Sequence, residues 1–132
     1  MISVYIDGSA RPNPGKGGIG IVIQGDGWDY TISEKCGDRE SNNSVEYKAL
    51  CRALTELMQN KVTSKEIVVF SDSELLVEQM NGNRQVDKGG KYLDDYMRAR
   101  MLKRYFWNLK FKWISRKENA EANLLASKGT KR

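Results

Sequence analysis

The chain has 132 residues, 39% hydrophobic and 30% charged, with a net charge of +5, which suits one domain with a modest core. No apolar run approaches the roughly 20 residues of a membrane span, and no basic region followed by an apolar signal core opens the chain, so a cytoplasmic protein is expected. There is no histidine, and Cys36 and Cys51 lack metal-ligand spacing, which excludes a histidine zinc site, a histidine general base and a Ser-His-Asp triad.

In chain order, Ile2, Val4 and Ile6 alternate with Ser3, Tyr5 and Asp7, the pattern of a strand with β-branched residues on one face. Asp7 is the last residue before a loop rich in Gly and Pro. An apolar run from Ile19 to Ile23 follows, so the two read as a hairpin with a long connection. Asp-Gly is also a common turn pair, and Asp7 by itself is equally a turn residue. Gly25-Asp26-Gly27 marks a tight turn, and Trp28 to Lys35 is expected to be a third antiparallel strand. Ser41 to Ser44 reads as a loop ending in a helix cap, with a helix over Val45–Met58. Glu46 falls on the apolar side of that helix, near the line of Ala53 and Leu57, where an unpaired carboxylate is costly.

Glu66 to Asp72 is a fourth strand whose continuous apolar run implies cover on both faces, and it again ends in a carboxylate. Ser71 or Asp72 then caps a short helix from about Ser73 to Met80. Gly82 to Gly90 is a polar loop, Lys91 to Trp107 a second long helix, and Leu109 to Ile114 a fifth strand. After the basic loop Ser115-Arg-Lys117, Glu118 to Lys128 forms a last helix with Ala122, Leu125 and Ala126 inward. The order implies a mixed sheet with helices packed against it. Charge is unevenly spread: residues 84–132 hold 14 Lys and Arg against 5 Asp and Glu, a local +9 that leaves −4 for residues 1–83. Such asymmetry favours a polyanionic partner over a merely solvated basic face.

Two strands ending in Asp, with a Glu at the start of the helix between them, make a constellation of three carboxylates. Without His or Cys, clustered carboxylates suit Mg²⁺ or Mn²⁺. A pair of such ions about 4 Å apart is a standard arrangement for phosphodiester cleavage. The bland alternative is three structural acids at caps and turns.

Four segments carry a resemblance over nearly the whole chain: Tyr5-Ile-Asp-Gly-Ser9 with Asn13-Pro-Gly15, Ser41-Asn-Asn-Ser-Val-Glu-Tyr47, Val69-Phe-Ser-Asp-Ser73 and Glu118-Asn-Ala-Glu-Ala-Asn-Leu-Leu-Ala126. In order and spacing they resemble the signatures of type 1 ribonuclease H, which cleaves the RNA strand of RNA–DNA hybrids with two divalent ions. The resemblance implies an α/β, ribonuclease H-like fold in a single domain over residues 1–132. Its mixed five-stranded sheet would have three antiparallel strands, then two parallel, with helices on both faces. By position, Asp7, Glu46 and Asp72 match the first three metal ligands. Asn13, Asn42 and Asn43 match residues that contact the hybrid in its minor groove, where 2′-hydroxyls distinguish RNA from DNA. The Asn pair equally suits turn chemistry at a helix entry. Ser41 matches a position that helps hold a phosphate of the DNA strand, and Glu74 sits where some relatives carry a hybrid-contacting Gln.

Three departures from the family pattern stand out. The loop after the last strand lacks the His of many bacterial relatives, and Arg116, with Lys117 as substitute, is the candidate for steering the scissile phosphate or product. The basic protrusion of some relatives is missing, because Gly82 to Gly90 is too short to hold it. Grip on substrate then comes from Lys88, Lys91 and the Arg98–Arg104 region, or is weaker. The fourth acidic position is Asn123, and Glu121, about 200° round the helix, does not simply replace it. The expected protein is a monomeric hybrid-cleaving endonuclease leaving 5′-phosphate and 3′-hydroxyl ends. Its alternative is a hybrid-binding protein with little hydrolysis because Asn123 is neutral. A junction resolvase of the same architecture is a third reading, opposed by the ribose contacts implied for Asn42 and Asn43.

Overall fold

The computed structural model describes all 132 residues. Its elements run β1 (Ile2–Arg11), β2 (Lys16–Gly25), β3 (Trp28–Lys35), α1 (Asn42–Gln59), β4 (Glu66–Ser71), α2 (Glu74–Met80), α3 (Leu93–Lys103), β5 (Asn108–Trp113) and α4 (Ala120–Gly129). They build one sheet in the order β3-β2-β1-β4-β5. The first three strands are antiparallel neighbours, and β4 and β5 continue parallel to β1. This is the mixed five-stranded architecture expected above.

Alternation sets which side chains meet which layer. Ile2, Val4 and Ile6 of β1, with Ile19, Ile21 and Ile23 of β2 and Ile67 and Val69 of β4, face α1 in a cluster of 22 buried apolar residues. The Tyr47 hydroxyl of α1 donates to Gln79 Oε1 of α2 at 2.6 Å, and its ring stacks on Tyr92, just before α3, at 5.7 Å. One buried side chain therefore ties α1, α2 and the entry to α3 together. On the opposite face α4 lies almost on the backbone of β2. A Cβ at Gly20 would stand 2.5 Å from Ala126 N, and one at Gly18 would stand 2.7 Å from Gly129 C.

Several boundaries differ from expectation. β1 and β2 are ten residues each and reach the turn at 12–15, because Ser9, Ala10 and Arg11 pair with Gly18, Gly17 and Lys16. Asp7 is therefore inside a strand and does not end it. α1 begins at Asn42, since Ser41 is the cap: its Oγ accepts from Ser44 N at 3.2 Å. Ser73 caps α2 in place of Ser71 or Asp72, accepting from Leu76 N at 3.2 Å. α3 stops at Lys103, where the chain turns to bury Phe106, and the Trp107 amide then bonds Thr63 O at 3.0 Å. No helix is long and apolar enough to cross a membrane.

Candidate active site

Asp7 and Asp72 meet because β1 outruns its parallel partner. Ile6 pairs with Ser71, the last residue of β4, so the next residue along each chain is an aspartate at the same level. Glu46 reaches them because α1 crosses β1 at Gly8. A Cβ there would come within 2.5 Å of Glu46 N, so only glycine lets the first turn of α1 sit directly on the strand. The result is a half-buried group in which carboxylate oxygens of Asp7, Glu46 and Asp72 all lie within 4.8 Å of one another. They line a cleft of about 400 Å³ together with Asn42, Arg116 and Asn123.

The electrostatics of this group favour a cation. Burial above all, then the charges of Asp72 and Glu46, push Asp7 up to about 8, against a hydrogen bond from Gly8 N–H and the charge of Arg116. Glu46 is pushed up to about 7 by burial, with Asp72 adding to the rise and the Ser73 hydroxyl opposing it. Carboxylates that resist ionising side by side lose that resistance when a divalent cation sits between them. The donor set is all hard oxygen, with no thiol or imidazole, and so fits Mg²⁺ or Mn²⁺.

Around this group the remaining candidates divide. Asn42 Oδ1 accepts from Ala10 N at 3.0 Å, and Asn42 N donates to Asn13 Oδ1 at 3.2 Å. The two asparagines thus stitch the β1–β2 turn to the start of α1 beside the cleft. Asn43 is exposed on the first turn, and the Ser41 hydroxyl is engaged in its cap. Arg116 is exposed and lines the cleft, whereas Lys117 does not. Asn123 shares the cleft, but its Nδ2 donates to Arg116 O at 3.0 Å and so braces the loop carrying that arginine. Glu74 is exposed in the first turn of α2, outside the cleft lining. Lys88 lines a separate hollow between the 82–88 loop and α3.

Three residues that build the site escaped the sequence reading. Gly8 passed as half of a turn pair. Ser73, beside Asp72, opposes the rise at Glu46 and caps α2. Asn119 is 1% exposed, and its Nδ2 donates to Ile6 O at 2.9 Å, anchoring the start of α4 one residue before Asp7. All three lie within the signature segments, Asn119 as the second residue of the last, but their chemistry alone marks none of them as a site residue.

Residues 5–129 match a family of domains described as reverse transcriptase-like. The bifunctional protein Rv2228c of Mycobacterium tuberculosis is 32% identical over 128 residues, 96% of this chain and 34% of that protein. The chain thus spans about a third of the length of that relative. Among solved structures, LC11-RNase H1 in complex with an RNA/DNA hybrid superposes with a TM-score of 0.89 at 34% identity, covering 99% of this chain and 97% of the other. The N-terminal RNase H domain of Rv2228c gives 0.87 at 30% identity, with 98% of each chain covered. RNase H1 from the archaeon Halobacterium salinarum gives 0.87 at 28%, covering 98% and 97%. With that family match, and with two ribonuclease H domains at 30% identity or more aligned almost end to end, the chain belongs to the reverse transcriptase-like family as a ribonuclease H-like domain.

Proposed function

We propose that the protein is a metal-dependent endonuclease that cuts the RNA strand of RNA–DNA hybrids and leaves 5′-phosphate and 3′-hydroxyl ends. The observation that carries this reading is the meeting of Asp7, Glu46 and Asp72 within 4.8 Å in an open cleft. The likeness to LC11-RNase H1, whose structure holds an RNA/DNA hybrid, supports the substrate. Asp7, Glu46 and Asp72 would hold Mg²⁺ or Mn²⁺, two ions once substrate is bound. Such ions supply Lewis-acid activation of the attacking water and stabilisation of the leaving oxygen.

The chain's own groups do the rest by position and charge. The pinned Asn13–Asn42 pair, with Asn43 beside it, presents amides to a minor groove, where ribose hydroxyls offer both donor and acceptor. Arg116, at the cleft rim, is suited to a phosphate oxygen because its planar guanidinium presents a fork of donors. With no imidazole available, proton transfer at the leaving group falls to solvent. One observation favours the weaker alternative of hybrid binding with little turnover. Asn123 is neutral and its amide donor is committed to Arg116 O, so the cleft lacks a fourth carboxylate.

Cleavage of an end-labelled hybrid with Mg²⁺ and with Mn²⁺ separates the readings. RNA-strand products with 5′-phosphates are expected, while single-stranded RNA and duplex DNA stay intact. Asp72→Asn should lower the rate at least a hundredfold and leave hybrid affinity within a few fold. Cleavage within tenfold of wild type would remove Asp72 from the chemistry, and equal cutting of duplex DNA would favour a resolvase.

A further inference from the structure

The two sides of α3 differ in kind. Tyr96 and Ala99 turn inward, whereas Met97, Met101 and Tyr105 follow one another at four-residue steps along the outer side, exposed by 58%, 56% and 58%. Trp107, just beyond, is 82% exposed. Five of the eight large apolar side chains left exposed in the molecule lie between residues 97 and 113, and that concentration separates this surface from ordinary scatter.

Cations border the stripe. From Tyr96 to Lys117 there is no Asp or Glu, and none of the Lys and Arg in that stretch forms an ion pair. Arg100 and Lys103 have a structural use, since both donate to Met80 O at the end of α2. Arg98, Arg104, Lys110 and Lys112 make no hydrogen bond through their side chains and are exposed. The surface extends away from the carboxylates. Trp107 N bonds Thr63 O ahead of β4, while Asp72 lies past the other end of that strand.

We propose that the outer side of α3, continuing through Trp107 onto the edge strand β5, binds an unpaired nucleic-acid strand. Arg98, Arg104 and Lys110 meet phosphates, and Tyr105 and Trp107 stack on bases. Exposed aromatics interleaved with unpaired cations are what a single strand rewards, because each nucleotide offers both a charge and a π-face. Duplex bases are already stacked and leave the aromatic rings nothing to meet. An acidic helical peptide would seek a groove between elements, and this stripe crowns one helix. A bilayer surface is planar, but here the cations turn a corner. Phe111 faces inward beneath Lys103, so alternation sends Lys110 and Lys112 to the other face of the sheet. A flexible strand follows that corner.

The test is fluorescence anisotropy in EDTA with labelled 20-mers of oligo-dT and oligo-U, set against poly-Glu and vesicles containing phosphatidylserine. Arg98→Glu/Arg104→Glu should weaken oligonucleotide binding at least tenfold and reduce the salt slope by about 1.4, two phosphate contacts at roughly 0.7 each. Trp107→Ala should weaken it at least fivefold, and Trp107→Phe should abolish the quenching of tryptophan fluorescence on binding. Trp107→Ala should still cleave a blunt-ended hybrid within about twofold of wild type. Asp72→Asn should bind oligonucleotide like wild type, so loss of cleavage and loss of strand binding are separable failures. Unchanged oligonucleotide affinity in the double variant would overturn the proposal, as would tighter binding of poly-Glu or vesicles than of either oligonucleotide.

Discussion

The amide of Asn123 offers a donor and an acceptor to the cleft, and the bond to Arg116 O uses only the donor. A carboxylate at this position would gain a charge facing the metal group and lose that donor. The two effects are separately measurable. Asn123→Asp should lower the Mn²⁺ or Mg²⁺ concentration for half-maximal binding by roughly fivefold or more, read by calorimetry, because one negative charge is added to the cleft that the three carboxylates line. In EDTA the same variant should melt a few degrees lower, because a hydrogen bond worth about 1 kcal/mol is lost and like charges are added. An unchanged metal titration would put Asn123 outside the metal shell and leave it only the bracing of Arg116. The raised carboxyls give a second test. Asp7 and Glu46 hold protons in the folded protein, up to about 8 and 7, that the unfolded chain releases near its ordinary values of 3.8 and 4.5. The folded state therefore binds more protons across that window, and metal-free stability falls as pH rises from about 4 to 8. Melting temperature in EDTA should drop by several degrees between pH 5 and pH 8. Saturating Mg²⁺ or Asp7→Asn should flatten the decline.

At the scale of elements, the meeting of three acids rests on one close approach, α1 on β1 at Gly8. Gly8→Ala forces a methyl into the backbone of Val45 and Glu46, where no flexible side chain can yield. A cost of about 1–3 kcal/mol is expected from overpacking, with cleavage lost beyond the loss of folded protein because Glu46 is pushed from Asp7. Circular dichroism melts and activity per folded molecule check the two parts. The same contact shows why sequence reading stopped short here. Asp-Gly is ordinary turn chemistry, and nothing local distinguishes a glycine that admits a helix. The glycines of β2 misled in the same way. Gly17 and Gly18 read as loop, yet they are strand residues; Gly18 and Gly20 are kept bare where α4 approaches, and Gly17 where Cys36 O and the Val45 side chain do. By contrast Ile2–Ile6 and Glu66–Ser71 were legible because β-branched residues recur where burial needs them. The acids of the site were legible from their apolar settings: Asp72 follows the run of β4, Asp7 follows Ile6 although β1 continues past it, and Glu46 lies on the inward side of α1. The asparagine at 119 was passed over because its partner, Ile6 O, is remote in sequence.

Across the whole molecule the two faces of the sheet are held unequally. The cluster of 22 buried apolar residues lies on the α1 side, and α4 contributes none of its members. α4 is fastened by small residues, Ala122 and Ala126 against the β2 glycines, and by a few polar bonds. Chief among them are Asn119 Nδ2 to Ile6 O and Ser33 Oγ to Leu125 O at 2.7 Å. Close backbone packing supplies dispersion but buries little apolar area, and apolar area dominates the free energy of opening. α4 should therefore open locally below the free energy of global unfolding. Native-state hydrogen exchange should show amides of residues 123–129 exchanging at least roughly tenfold faster than those of the central turns of α1. Asn119→Ala, which removes the buried anchor, should widen the gap and leave α1 near its wild-type rate. Because Asn123 on this helix braces Arg116, the same opening releases the arginine from the cleft rim. Divalent metal with hybrid bound should slow exchange in α4 more than in α1. Equal protection of the two helices in the free protein would mean that backbone-on-backbone packing alone holds α4 as firmly as the large core holds α1.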